Sequence, residues 1–532
     1  MINLRNDIKD LLAVILLVTL ILSYLLHFLG FSLGYIFGDL GDARLNNYFL
    51  EHGYQFLTGN HNSFWSPPFY FPAENVLTYS DNHIGTLPFY SVFRLLGYDV
   101  ETSYQLWIIL IFLLNGISAY AVMRLFKLSI IGSFTGALVF AISAPIILKT
   151  GHIQLMPRFM LPFIFYAGVK FFETLDIKYY YIFAFSFVYQ FYIGIYIGFF
   201  ALAGLFLLLP FILIYFNKSK LRVVFINKKY VVNIVFVSLI SAALLYLLFE
   251  PYLSFKEVSG GRSWGEISAM LPRLESWIYS SGSYLDLVNK VGINLPMQHE
   301  HFMFYGFLTY LIFFYFIYFV IKNNLSASFK TNSTLIYGSI LLILLTFIFT
   351  LSFHGVSLYK VTFYQFPGFD AIRAVTRIIL FLALPFALLY ALLFTIIEKA
   401  KINEKCKFFI LFIFSLITLA EQYRFEVPVY EKAYAQNRYL NIYNKVKDYE
   451  GYDVIYLLRQ KPNPGFFSDE LDAMFLALAL NKPTINGYSG NLPEGYHLWN
   501  SHDYISWLSR NDNQESLSVL VIGLEGGEIV QP

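Results

Sequence analysis

A long, nearly unbroken apolar stretch ends in Gly38-Asp39-Leu40-Gly41-Asp42-Ala43-Arg44, so two carboxylates and a guanidinium stand at one membrane surface. Charges at the edge of hydrocarbon need water or a partner, and such residues mark functional sites. In a helix, Asp39 and Asp42 would share a face; the structural alternative is an interfacial N-cap neutralised by Arg44. Asp81, in Tyr79-Ser-Asp-Asn82, precedes His83-Ile-Gly, where a carboxylate either serves a site or caps the helix leading to Arg94. His152 and Gln154 follow Thr150-Gly at the start of an apolar run. His299-Glu300-His301 precedes another. Two histidines and three carboxylates are the donor set of a divalent metal such as Mg or Mn, yet i, i+2 spacing suits one helix poorly, and Glu300 alone reads better as a carboxylate that positions a hydroxyl. Arg373 and Arg377, four apart in Pro367-Gly-Phe-Asp-Ala-Ile-Arg-Ala-Val-Thr-Arg, would share a helical face as a fork for phosphate or pyrophosphate, or else pair with Asp370 or Glu300. Arg262 and Glu266 lie in a Gly-rich loop that reads as a lid.

The elements that must hold these residues are membrane spans. The chain of 532 residues is 57% hydrophobic, 20% aromatic and only 14% charged, with mean hydropathy +0.57. Net charge +2 gives no sign of a nucleic-acid partner, and the single cysteine, Cys406, excludes an intramolecular disulfide. Spans of about 20 apolar residues are expected near 10–32, 104–123, 128–147, 154–173, 179–195, 197–216, 231–250, 302–321, 334–353, 376–397 and 408–421. The run 178–216 holds two spans turning near Gly194 to Gly198, or one tilted span and a half-helix. The first segment is too long for a signal-peptide core and lacks a cleavage site.

Basic residues gather in cytoplasmic loops. Arg5 and Lys9; Arg124 and Lys127; Lys170 and Lys178; Lys218, Lys220, Arg222, Lys228 and Lys229; Lys322 and Lys330; and Lys399, Lys401, Lys405 and Lys407 all fall on one side of this arrangement. The long aromatic loops 33–103, 251–300 and 354–375, the 148–153 turn and the tail fall on the other. Within the first loop, Trp65-Ser-Pro-Pro-Phe-Tyr-Phe-Pro72 suits either a rigid interfacial segment or the ordinary aromatic belt. Glu250-Pro-Tyr is expected to end a span, because proline stops helices.

After Glu421 hydropathy falls. Tyr452–Leu458 and Ser518–Gly523 read as buried strands and Glu470–Leu480 as an amphipathic helix. Residues 1–421 are therefore expected to form a transmembrane domain, and 422–532 a small extracytoplasmic α/β appendage. The appendage reads as incomplete, since its last strand would normally lead into another helix.

Taken in order, Gly38-Asp-Leu-Gly-Asp-Ala-Arg44, Tyr79-Ser-Asp-Asn82, Pro367-Gly-Phe-Asp-Ala-Ile-Arg373 and Asn486-Gly-Tyr-Ser-Gly490 resemble bacterial multi-span members of the GT-C superfamily of membrane glycosyltransferases. The resemblance covers nearly the whole chain. It implies a GT-C-like polytopic α-helical fold in the bacterial inner membrane, for which the apolar runs give about eleven transmembrane helices and the basic loops a cytoplasmic N-terminus. It implies a polyprenyl-phosphate-linked sugar as donor and a glycan, lipid or protein acceptor on the extracytoplasmic face. The chemistry implied is displacement at the anomeric carbon. Asp39 or Asp42 takes the acceptor proton, Arg373 and Arg377 hold the donor phosphate, and Asp81, His152 and Glu300 position acceptor or sugar. The Trp-Trp-Asp signature of oligosaccharyltransferases is lacking, which argues against transfer to asparagine. A lipid-linked oligosaccharide flippase is the rival of another class, but it would place charges deep within several spans. A noncatalytic assembly protein for envelope polysaccharide would not need Asp39, Asp42 and Arg377 together.

Overall fold

A computed structural model describes residues 4–215, 227–259, 261–281, 291–322, 333–366, 368–459, 466–496, 503–509, 517–523 and 526–530. Lys218, Lys220, Arg222, Lys330 and Pro367 lie outside these residues.

The chain is a helical membrane protein with a small C-terminal sheet. Seven of the described helices are long and apolar enough to cross a bilayer: Asp7–Leu29, Val100–Leu125, Ile130–Ile147, Ile195–Ile212, Lys228–Glu257, Ser333–Thr350 and Val375–Lys399. Phe307–Ile321 is a shorter apolar helix. Of the remaining expected spans, 154–173 is helical only from Leu161 to Thr174, because a short turn over Ile153–Leu155 precedes it and Pro162 opens the helix. The segment at 179–195 becomes Ile177–Ile193, and 408–421 lies within Glu404–Gln422, whose ends carry charge. The 178–216 run is two helices broken at Gly194. Pro251, expected to end its span, lies inside the helix Lys228–Ser259; a proline near the end of a membrane helix is accommodated when neighbouring groups take up the freed carbonyls.

These helices differ in what surrounds them. The most apolar window of Val375–Lys399 is entirely buried within the protein, whereas only 6% of that of Lys228–Glu257 is. The central helix can be enclosed because Ile130–Ile142 comes very close to it. A Cβ on Gly136 would stand 2.7 Å from the Ala387 carbonyl oxygen, the small-residue contact by which membrane helices pack. Arg377 sits where the central helix begins.

The appendage is not a separate body. Strand β1 (Tyr35–Phe37), just ahead of the acidic motif, pairs antiparallel with β2 (Val429–Glu431), aligning Ile36 with Tyr430. Leu45, Tyr48, Phe69 and Tyr70 of the first loop share one hydrophobic cluster with Tyr439, Val454, Met474 and Phe475. The strands expected at 452–458 and 518–523 are β3 (Val454–Leu457) and β4 (Val519–Ile522), paired in parallel. A helix over Phe466–Leu480 packs on β3. β4 is followed by a further strand, β5 (Gly527–Val530), antiparallel to it.

Candidate functional site

Asp42 is the first residue of the helix Asp42–Leu57, where the helix dipole favours a carboxylate. Asp39 lies outside that helix, and its Oδ1 accepts from the Gly41 amide at 3.0 Å. The shared helical face expected for the two aspartates does not form, because the helix begins only at Asp42. Arg44 does not neutralise either of them. It is buried, 2.9 Å from Asp472 of the appendage, and leaves Asp42 to other partners.

Those partners come from two distant segments, and two more complete the cluster. Tyr488 donates its hydroxyl to Asp42 Oδ1 at 2.7 Å. His152 Nδ1 stands 3.2 Å from Asp42 Oδ2, close enough for electrostatic contact though out of line for a hydrogen bond. On its other side His152 Nε2 is 3.0 Å from Arg377 Nη2. A guanidinium only donates, so Nε2 presents its lone pair, and the proton of the neutral ring sits on Nδ1, facing Asp42. Arg377 also grips Glu300 twice, with Nη2 to Oε1 at 2.6 Å and Nε to Oε2 at 3.2 Å. Glu300 Oε2 further accepts from Lys149 Nζ at 2.8 Å, and the same ammonium donates to the carbonyls of His299 and Glu300.

The cluster is graded in exposure. The Glu300 and Lys149 side chains are 3% and 2% exposed, whereas the Asp42 side chain is 39% exposed. Burial would raise the Glu300 carboxyl, but the adjacent Lys149 and Arg377 charges override it and hold the group well below the usual carboxylate range. Burial likewise pushes Asp42 up, and His152, Tyr488 and Arg377 together outweigh it, so Asp42 lies below its ordinary value. At neutral pH the accessible end of the array is therefore an anionic oxygen, backed by two buried cations.

Asn486-Gly-Tyr-Ser-Gly490 supplies Tyr488 through local constraints. The Asn486 side chain satisfies both the amide and the carbonyl of Leu457 at the end of β3. Gly487 lies against the Tyr70 ring, leaving no room for a Cβ, and donates its amide to buried Glu470 at 2.9 Å. Ser489 meets Ser80 at 3.0 Å.

Arg373 and Arg377 do not share a helical face. Arg373 precedes the short turn Val375–Ile378, and Ala374 between them is extended. Both nevertheless meet Tyr196. The Arg373 amide donates to its hydroxyl at 3.2 Å, and the Arg377 guanidinium lies 5.4 Å from its ring centre. The Arg373 side chain, 40% exposed, is 2.9 Å from Glu266, which also pairs with Arg262. Arg262 in turn reaches the Gly490 carbonyl, so the segment read as a lid bridges two walls of the same region.

Asp81 is no partner of this cluster. Its oxygens accept from the Ile195 amide at 3.2 and 3.4 Å, capping the helix that begins there rather than the one leading to Arg94. Enclosure raises its carboxyl to about 6. His301 bonds Ser276 at 2.7 Å and faces the Ala269 carbonyl. Among the described residues no group of three or more His, Cys, Asp or Glu side chains is arranged around a metal.

The structure thus brings together Asp42, His152, Glu300 and Arg377 of the residues singled out from sequence; Lys149 and Tyr196 are missed there, and Tyr488 is named only within Asn486-Gly-Tyr-Ser-Gly490, without a role. Lys149 carried a signal: it is a lysine at the end of a span away from the basic loops. Comparison with known protein families and with curated proteins finds no match for this chain.

Proposed function

We propose that this protein is a membrane glycosyltransferase that moves a sugar from a polyprenyl-phosphate donor to a glycan, lipid or protein acceptor, working at the extracytoplasmic face of a bacterial inner membrane. The observation that carries the reading is Asp42. It is an ionised, accessible carboxylate that accepts from Tyr488 on one oxygen and faces His152 Nδ1 with the other, the His152 ring lying between it and Arg377. The acceptor hydroxyl gives its proton to Asp42 as its oxygen bonds to the anomeric carbon. The bond from that carbon to the phosphate oxygen breaks, and the electron pair leaves with polyprenyl phosphate. A positioned base of this kind contributes roughly 10²–10⁴-fold.

His152 cannot take that proton while its Nε2 accepts from Arg377. Arg377 is engaged by Glu300 and His152, so its part is to hold positive potential beside the leaving phosphate, which favours charge developing there. Arg373, more exposed and at the same wall, makes the direct phosphate contact. Asp39 lines the approach. Asp81 acts as a helix cap.

The reading is tested with full-length protein in nanodiscs, supplied with polyprenyl-phosphate sugars and candidate acceptors. The expected result is a new glycosidic bond, formed without a nucleotide sugar and reduced at least about a hundredfold in folded Asp42→Asn. Movement of an intact lipid-linked glycan across vesicles with no new bond would establish the flippase instead. Unchanged transfer in both Asp42→Asn and Asp39→Asn would remove the carboxylate base.

A further inference from the structure

At the end of the bundle away from Asp42, a cavity of about 370 Å³ opens among the ends of four helical segments. Its walls hold Lys127, Lys170 and Lys399 with Thr334, Glu173 and an apolar side that includes Phe126. The central helix fixes its depth. Arg377 stands at one end of the continuous stretch Val375–Lys399 and Lys399 at the other, about 30 Å apart at 1.5 Å per residue. That matches the roughly 30 Å hydrocarbon thickness of a bilayer, so a site at one interface places this cavity at the other.

Among the described residues the charges here are only partly balanced. Lys170 pairs with Glu173 at 2.8 Å, and nearby Arg124 pairs with Asp10 at 2.6 Å. Glu398 interacts with Arg124, and Asp176 and Glu404 pair with Lys178 and Lys407. Among the described residues Lys127 and Lys399 have no ion-pair partner, and both are exposed. Lys127 is held in place by its backbone. It adopts a left-handed conformation, φ 61°, in the tight turn where its amide bonds the Arg124 carbonyl at 2.9 Å. Leu125, Phe126, Leu335 and Ile396 supply an apolar wall continuous with the spans. A freely soluble anion would use the lysines and ignore that wall; a phospholipid uses both.

We propose that this cavity is a binding site for the phosphate headgroup of an anionic phospholipid, with Lys127 and Lys399 as its charge partners, Thr334 as a hydroxyl donor and the apolar wall against the acyl chains. Basic pockets between transmembrane helix ends are suited to this chemistry. The site does not depend on the reaction assigned to Asp42.

The test uses the full chain in detergent, with bound lipid counted by native mass spectrometry against phosphatidylglycerol and phosphatidylcholine. Phosphatidylglycerol is expected to be retained at least about tenfold better. A lysine at an anionic surface is worth roughly fivefold in affinity, so the folded double variant Lys127→Gln/Lys399→Gln should weaken retention about twenty-fivefold. Lys127→Arg/Lys399→Arg should keep it. Lys228→Gln/Lys229→Gln removes the same charge outside the cavity and should change it little. Equal losses in the two glutamine variants, or equal retention of both lipids, overturns the proposal. Displacement of phosphatidylglycerol by millimolar inorganic phosphate would make this a soluble-anion site and overturn the lipid assignment.

Discussion

Replacing Glu300 with glutamine keeps the shape of the side chain and removes a charge from a place where water cannot substitute for it. In the native cluster Lys149 and Arg377 contribute two positive charges and Glu300 one negative charge, and both Glu300 oxygens lie within 2.6 to 3.2 Å of those cations. Glu300→Gln leaves both cations without their counter-ion. Breaking a buried pair in this way costs about 3–5 kcal/mol. Lys149→Met has a different consequence. Glu300 keeps Arg377, no charge is orphaned, and the loss is the ammonium's bonds to two carbonyls, about 1–3 kcal/mol. Combining the two returns the cluster to its native net charge, so the double variant should be less destabilised than the sum of the singles by at least about 2 kcal/mol. The assay is denaturant unfolding in mixed micelles followed by tryptophan fluorescence, with monodispersity checked by size exclusion. An effect of Glu300→Gln below about 0.5 kcal/mol, or strict additivity with Lys149→Met, would show that the Lys149–Glu300–Arg377 array is not the electrostatic unit its geometry describes.

Tyr488→Phe removes one of the groups that hold the Asp42 carboxyl low. A base must be ionised to accept a proton, so the acid limb of the transfer rate should move to higher pH in a pH–rate profile, and an unmoved limb would separate Tyr488 from the chemistry. Asp81 has its carboxyl raised to about 6 in the folded protein. The unfolded chain therefore loses this proton first as pH rises, and the native state loses stability between about pH 4 and 6. Asp81→Asn keeps an acceptor for the Ile195 amide and should flatten that part of the melting-temperature profile; greater destabilisation of the variant at pH 7.5 than at pH 4.5 would contradict this sign. Gly136→Leu forces side-chain atoms into the Ala387 backbone and should abolish recovery of monodisperse protein, whereas Gly168→Ala, whose Cβ meets nothing nearer than 3.7 Å, should be tolerated.

What the sequence discloses here is sidedness, and what it hides is pairing. Apolar runs and the positions of lysine and arginine place Asp42, His152, Glu300 and Arg377 at the same ends of their spans, and the folded chain brings these four into contact. Periodicity fails where the backbone is not helical. Asp39 precedes its helix and Arg373 its turn, so neither shares the face that i, i+3 or i, i+4 spacing grants. Asp81 looks like a cap for the helix that follows it, yet the amide it satisfies lies 114 positions away. Tyr488 is one tyrosine among 42, and although Asn486-Gly-Tyr-Ser-Gly490 stands out as a motif, nothing local announces that this loop is pulled under Tyr70 to meet Asp42.

That last contact changes how residues 422–532 relate to the membrane domain. The helix bearing Asp42 is held from both directions by the appendage. The β1–β2 pairing fixes the strand before it, and the buried Arg44–Asp472 pair fixes its first turn. Asp472 is shared with Arg438, which also pairs with Asp469. A carboxylate on an unsupported interfacial helix would wander by more than the fraction of an ångström that proton transfer tolerates. Arg44, which the sequence offers as a neutraliser of the acidic motif, instead spends its charge on anchoring that motif, and Asp42 remains ionised. The site is thus a property of the whole chain, its cationic floor coming from the membrane helices and the alignment of Asp42 from the C-terminal unit.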